Sequence, residues 1–169
     1  MSKYVTLADY NNFYSDSIEA QDFNRYAVSA CQKADALTTG IDGVKKLKVA
    51  FPTDEGDAET VKAAICGVIH LMAEIDTLNK SAASAQGVVV REDGTVLGKT
   101  VTSISSGSES ISYSANASGQ SLASTIVGDA KAQNEAYNTI LSEGFRGIDD
   151  DNGVHLMFRG FYPLEVSDV

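Results

Sequence analysis

The chain has 169 residues, enough for one compact domain of about 100–150 residues with additional arms or loops. Its 13 Lys and Arg against 23 Asp and Glu give a formal charge of -10, which argues against a protein that binds nucleic acid by neutralising phosphates and against a basic membrane-surface module. Hydrophobic residues make up 43%, enough to bury a core, while two cysteines are too few for a disulfide framework. Neither a signal peptide nor an apolar stretch of the ~20 residues that cross a bilayer is evident, so we expect a soluble chain made in a reducing compartment.

The first half of the sequence carries three helical patterns. Thr6, with Asp9 three residues on, has the form of a weak capping box at the start of a short helix with an aromatic face. A second amphipathic pattern is expected to begin at Ser17 and to stop at Gly40. The longest apolar stripe, from Val61 to Leu78, spans about five turns and predicts a helix that begins near Asp57 and ends at Gly87.

The third predicted helix contains small residues that would let another helix approach closely, namely Ala63, Ala64 and Gly67. A glycine inside a helix costs about 1 kcal/mol relative to alanine unless close packing uses the space. Residues 41–52, which precede this helix, mix apolar residues with lysines and are interpreted as a connection with at most one further helical turn.

The hydrophobic period changes after Gly87. Two β-prone runs flank Asp93-Gly94, a strong short-range hairpin signal, and a second pair flanks Ser106-Gly107-Ser108. The four runs are residues 88–92, 95–97, 101–105 and 110–115. The sequence therefore predicts a β-hairpin region at about residues 87–115.

The last part of the chain predicts one more helix and an apolar tail. The helix covers residues 121–142 and is stopped by Gly144, and an acidic turn at residues 149–153 precedes an aromatic end at residues 156–163. Such an end needs something to pack on, since chain termini are usually polar and frayed. The predicted fold is mainly α: a single domain with a roughly four-helix body (about residues 5–86 and 121–143), the inserted hairpin region and an extended C-terminal arm (residues 145–169).

Motifs for phosphate and calcium binding fail on spacing. A P-loop needs four residues between its glycines and opens a helix, whereas Gly94 and Gly98 have three between them and β-type residues follow. A calcium loop aligned on Gly153 would place Ile148 at its first position and Arg159 at its last. The acidic stretch is better interpreted as a solvated turn.

Metal and nucleophilic chemistry also lack support. Cys66 and His70 lie four residues apart on one helical face and could form half of a zinc site, but no second pair of ligands lies nearby in the sequence. No Gly-x-Ser-x-Gly elbow is present, and the chain has only two histidines. We therefore predict a protein that is not an enzyme and has no metal and no cofactor.

Four stretches in order along the chain resemble one protein family. They are the aromatic opening 4–10 with Asp22-Phe23-Asn24-Arg25, the helix segment Thr60-Val61-Lys62-Ala63-Ala64-Ile65-Cys66, the serine-rich stretch 103–114, and the ending Leu156-Met157-Phe158-Arg159-Gly160. Together these segments resemble the head-tail connector (adaptor) proteins of long-tailed bacteriophages. The resemblance covers most of the chain.

The resemblance implies a structural virion protein of the neck, made in the cytoplasm of the host bacterium. It implies a homo-oligomeric ring, commonly a dodecamer, that joins the portal protein to the stopper or tail-completion protein, contacts no membrane, and lets DNA pass without specific binding. An acidic channel would repel phosphates and suit such passage. Alternatives are another phage neck or tail-completion protein and, more distantly, a small metal-dependent enzyme.

The resemblance and the residue pattern together give three sets of candidate contact residues. The C-terminal segment is expected to dock on the portal, and a chain lacking residues 154–169 is expected to stay folded without joining it. Its candidates are Leu156, Met157, Phe158, Arg159, Phe161 and Tyr162. Candidates for contacts between subunits are Tyr10, Phe13 and Tyr14, and those for the channel or the next neck ring are Arg91, Glu92, Asp93, Lys99 and Glu109.

Overall fold

A computed structural model of the chain describes residues 4–15, 18–90, 96–100, 103–106, 109–112 and 121–163, and between residues 82 and 112 the description is of the backbone. The protein is mainly helical, as the sequence predicts. The elements are α1 (Leu7–Phe13), α2 (Ala20–Leu37), α3 (Lys46–Val49), α4 (Glu55–Ala85), β1 (Gln86–Val90), β2 (Val96–Thr100), β3 (Ser103–Ser106), β4 (Glu109–Ser112), α5 (Leu122–Ile126) and α6 (Ala130–Gly144). In the described part of the chain, none of these helices has the length and apolarity needed to cross a membrane.

The chain divides into two compact units, one formed by residues 1–73 with 130–169 and the other by residues 74–129. The second unit contains two antiparallel strand pairs, β1 with β2 and β3 with β4. Both predicted turns, at Asp93-Gly94 and at Gly107, lie outside the described residues. The predicted organisation as a single domain stays a prediction.

The capping box at the start of α1 is confirmed. The Asp9 amide donates to the Thr6 hydroxyl at 3.2 Å, and the Thr6 amide donates to the Asp9 carboxylate at 2.7 Å. Lys62 of α4 adds an ion pair to Asp9 at 3.1 Å. Partial burial acts to raise the pKa of Asp9, but the hydrogen bonds from Thr6 and Lys62 outweigh it and hold that pKa below its usual value. One carboxylate thus caps α1 and ties it to α4.

The second helix is shorter than predicted. It begins at Ala20 and ends at Leu37, so the stop expected at Gly40 is wrong; Ser17, its expected first residue, lies outside the described part of the chain. The Thr38 hydroxyl donates back to the Ala34 carbonyl at 2.9 Å and takes up one of the acceptors at the helix end. The apolar faces of α2 and α4 nevertheless match the predicted stripes. Their buried residues include Phe23, Tyr26, Ala27, Ala30, Ala34, Val61, Ala64, Ile65, Val68, Leu71 and Ile75.

The predicted helix over residues 121–142 is broken in two. It starts as expected, with the Ser121 hydroxyl accepting from the Ser124 amide at 3.2 Å. A turn then separates α5 from α6, closed by the Asp129 amide donating to the Ile126 carbonyl at 2.9 Å. Gly128 lies in this turn, and glycine is a poor helix former. The expectation of one continuous helix is therefore wrong.

Close packing of α4 against α6 confirms the role expected for the small residues of α4. A methyl group built on Gly144 would lie 2.4 Å from the Ala64 Cβ, and one built on Gly67 would lie 3.2 Å from the Ile140 Cγ2. Both distances are shorter than ordinary van der Waals contact, so the two helices approach as closely as they do because these side chains are absent or small.

Gly144→Ala is expected to lower the free energy of unfolding by about 1–3 kcal/mol, because the added methyl overpacks the α4–α6 contact. Adding Ala64→Gly removes the methyl that it would meet and should recover part of the loss. Gly128→Ala is the matched control, since a methyl group there has no neighbour within 4 Å. Urea unfolding of the wild type and the three variants measures these differences; equal stabilities for the two single alanine variants would contradict this packing.

Candidate functional site

The C-terminal arm, residues 145–163 as described, packs within the first unit. Phe145, Ile148 and Leu156 are buried, and the Leu156 amide donates to the Ile148 carbonyl at 2.9 Å. A further backbone bridge joins Asp149 to His155. The arm is therefore a folded part of the core, with the acidic residues in a tight turn between its two paired segments.

The acidic turn is organised around one buried carboxylate. Asp150 accepts hydrogen bonds from the Asn152 amide at 3.0 Å, the Val154 amide at 2.9 Å and the Tyr162 hydroxyl at 2.7 Å. Gly153 has φ 72° at the tip, a conformation that glycine adopts at little cost. Burial, and then the bond to Asp150, raise the pKa of the Tyr162 phenol. The interpretation of the turn as solvated is thus wrong for Asp150, whose carboxylate binds the arm together.

A buried lysine holds the arm to the segment between α2 and α3. The Lys46 ammonium donates to the Thr38 carbonyl at 3.0 Å, to the Leu156 carbonyl at 3.4 Å and to the Phe158 carbonyl. Burial lowers the pKa of this ammonium, while Asp42 and Asp150 act in the opposite direction. One side chain therefore joins the end of α2 to two residues of the arm.

A second set of hydrogen bonds, made by residues 41 and 42 of the loop between α2 and α3, also holds the arm to this segment. The Asp42 carboxylate accepts from the Tyr162 amide at 2.6 Å and from the Val44 amide at 3.0 Å, and these backbone bonds lower its pKa. The Ile41 amide donates to the Arg159 carbonyl at 3.1 Å. The loop between α2 and α3 is thus tied to the arm at two places, in addition to the bonds of Lys46.

These bonds leave large apolar side chains on the outside. Phe161 is 76% exposed, Ile41 75% and Phe158 47%, and exposed Arg159 lies between the two phenylalanines in the chain. We call these four residues the arm surface. Burying one such apolar side chain is worth about 1.5–3 kcal/mol, so an exposed group of them is a candidate contact surface.

The expected portal-docking residues fall into two groups. Phe158, Arg159 and Phe161 are exposed and Met157 is half-buried, whereas Leu156 and Tyr162 are buried in this chain. The expectation that the last two side chains face a partner is wrong, because they pack the arm onto its own core. For the same reason we expect a chain lacking residues 154–169 to be destabilised instead of staying folded, since the deletion removes buried Leu156 and Tyr162 and two acceptors of Lys46.

The expected contact between subunits through α1 needs a similar correction. Tyr10 is only 1% exposed, and its hydroxyl lies 3.0 Å from the His70 Nδ1 of α4. Tyr14 stacks on the His70 ring at 4.2 Å between centroids. Tyr10 is therefore a core residue and not a contact with a neighbouring subunit, while Phe13 and Tyr14 are half-buried.

Cys66 and the channel candidates are the remaining residues that the sequence singles out. Cys66 is fully buried, and burial raises the pKa of its thiol to about 12. Among the described residues, no three His, Cys, Asp or Glu side chains converge as metal ligands would. Of the channel candidates, Arg91, Glu92 and Asp93 lie outside the described residues, and Lys99 and Glu109 belong to β2 and β4.

Nothing in the sequence pattern singled out Lys46, Asp42 and Ile41 as contact residues. The three lie in the segment interpreted as a connection, and a lysine there is expected to be solvated. The one available signal was the apolar arm itself, which needs an apolar surface of the same chain to pack on.

Comparisons with protein-family models, with curated proteins and with solved structures find no match to this chain.

Proposed function

We propose that this protein is an adaptor of the tailed-bacteriophage neck, a ring-forming structural protein that joins the portal to the stopper or tail-completion protein. The observation that carries the proposal is the arm surface: two exposed phenylalanines of the arm and exposed Ile41 of the loop that is hydrogen-bonded to it. Such a surface is costly to leave in water and suits a permanent protein contact.

In this proposal the mainly helical fold is a roughly four-helix body with an inserted β-hairpin region and a C-terminal docking arm. The arm surface contacts the portal through Phe158, Arg159 and Phe161, with Met157 at its edge. The hairpin region, through Arg91, Glu92, Asp93, Lys99 and Glu109, faces the channel or the next ring. The formal charge of -10 suits a channel through which DNA slides.

Phe158→Asp and Phe161→Asp are expected to weaken binding to the portal ring by about 30-fold or more each, as loss of a central apolar contact does. Folding should be unaffected, because both side chains are exposed. The measurement is binding of purified protein to the portal protein of the same virus, with circular dichroism to monitor folding. Leu122→Asp, which also changes an exposed apolar residue, is the control.

The outcomes separate the candidate roles. Wild-type protein that ignores the portal but binds the stopper through Phe158 and Phe161 would assign it to another position in the neck. Wild-type protein that binds neither would overturn the proposal. Unchanged portal binding in both variants would refute the assignment of the arm as the docking element.

A further inference from the structure

An apolar groove lies between the start of α1 and the start of α2. It has a volume of about 320 Å³ and is lined by Val5, Thr6, Leu7, Ala20, Phe23 and Asn24. Val5 and Phe23 are buried beneath it, Leu7 is half-buried, and Ala20 is exposed. The volume is in the range of small ligand sites, but the lining offers apolar surface and few polar groups, which suits a side chain of another protein.

The edge of the groove is acidic. Glu19 immediately precedes Ala20, is exposed, and has no ion-pair partner among the described residues. Asp22 lies within the first turn of α2 and forms an ion pair with Arg25 at 3.2 Å. An incoming segment that fills this groove would therefore gain from a positive charge placed opposite Glu19.

The same chain carries a matching surface on α3. Lys45 is the N-cap residue of α3, and its carbonyl accepts from the Lys48 amide at 3.0 Å and from the Val49 amide at 3.2 Å. We call Lys45, Lys48 and Val49 the α3 face. Val49 is 50% exposed, and Lys45 is exposed without an ion-pair partner in the described part of the chain. Lys48 is held by the buried Asp35 carboxylate at 3.4 Å, which fixes α3 in place.

We propose that the α3 face of one copy binds the groove of a second copy, with Val49 in the groove and Lys45 opposite Glu19. The two surfaces of the chain are complementary in charge: each has an apolar centre and a charged side chain without an ion-pair partner among the residues that the structure describes. Because the two surfaces differ, the contact can repeat from copy to copy and close a ring. Ring closure rests on the proposed function; the pairwise contact does not, since it leaves the arm surface untouched.

Charge exchange tests the proposed pairing. Lys45→Glu and Glu19→Lys should each weaken self-association by about tenfold, and the double variant should restore it. Lys131→Glu is the control, since Lys131 is also an exposed lysine but lies on α6. The measurement is analytical ultracentrifugation over a concentration series. Self-association that is equally strong in both single variants would overturn the pairing.

Two further variants test the groove itself. Val49→Asp should abolish self-association, while Leu122→Asp, at another exposed apolar residue, should leave it unchanged. Mixed Val49→Cys and Ala20→Cys proteins should form a disulfide-linked heterodimer on oxidation. Native Cys31 and Cys66 are buried, so the wild-type protein should form no such cross-link and serves as the control.

The failure modes are distinct from those of the portal assignment. Wild-type protein that stays monomeric and gives no cross-link at the highest attainable concentration would overturn the contact between copies, whatever the arm surface binds. If the stopper or the portal occupied the groove instead, the thiol of Ala20→Cys would be protected from a thiol reagent only in the complex with that partner. This result would also overturn the contact between copies.

Discussion

Replacing Lys46 with methionine is expected to lower the free energy of unfolding by about 3–5 kcal/mol and to loosen the C-terminal arm. Methionine has a similar length and fills the space, but it cannot donate a hydrogen bond. The carbonyls of Thr38, Leu156 and Phe158 would then lose their buried donor. Each buried acceptor left without a partner costs about 1–3 kcal/mol, which sets the scale.

The effect should be concentrated on the arm. Two of the three carbonyls belong to it, so hydrogen exchange of residues 156–162 should accelerate more than exchange in the middle of α4. Lys45→Met is the matched control. The Lys45 side chain neighbours Lys46 in the sequence but is exposed, so its replacement should change the free energy of unfolding by less than about 0.5 kcal/mol.

The same variant connects the fold to the proposed function. Lys46 does not belong to the arm surface, yet its loss should weaken portal binding, because Phe158 would no longer be held in one position. Equal unfolding free energies for Lys46→Met and the wild type would show that the ammonium does not hold the arm. Reduced stability with unchanged exchange in residues 156–162 would show that it acts elsewhere in the core.

The features that the sequence predicted correctly depend on short-range patterns. The capping box of Thr6 and Asp9 needs only residues three apart, and the stripe of α4 repeats over many turns. The small residues Ala64 and Gly67 were assigned to helix packing because a glycine inside a helix is destabilising unless close packing offsets its cost. In each case the local pattern and the final packing favour the same structure.

The features that the sequence did not predict depend on contacts between distant residues. Lys46 and Phe158 are 112 positions apart, and nothing near Lys46 indicates that an arm will cover it. In the sequence, Asp150 does not differ from the acidic residues beside it. In the folded chain, it accepts a hydrogen bond from the Tyr162 hydroxyl. The break between α5 and α6 has a visible cause in Gly128, but the apolar stripe continues across it and favours one helix.

The arm surface itself was partly predictable. An aromatic chain end predicts a contact, but the sequence cannot say which of its side chains pack inward. Because Leu156 and Tyr162 pack inward, the outward set is narrowed to Phe158, Arg159 and Phe161. Ile41 completes the surface through backbone pairing with the arm, a contact between distant segments that no local pattern encodes.

Tyr10→Ala is expected to destabilise the isolated protomer by about 3–5 kcal/mol, the usual cost of removing a large buried aromatic side chain. Tyr10 packs against Tyr14 at 5.2 Å and Phe23 at 6.0 Å between ring centroids, and its hydroxyl lies beside the His70 Nδ1. The substitution therefore removes a contact that joins α1 to both α2 and α4.

Two companion variants separate packing from hydrogen bonding and core from surface. Tyr10→Phe keeps the ring and loses the hydroxyl, so it should cost about 1 kcal/mol. Phe13→Ala, at a half-buried position of the same helix, should cost less than Tyr10→Ala. Urea unfolding at a concentration too low for self-association measures all three. If Tyr10→Ala left protomer stability within about 0.5 kcal/mol of the wild type and impaired only assembly, Tyr10 would be a contact between subunits and the α1 packing described above would be wrong. A large loss of unfolding free energy in the isolated protomer would instead place Tyr10 in the core. The adjacent groove at Val5 and Leu7 would then remain accessible to a second copy.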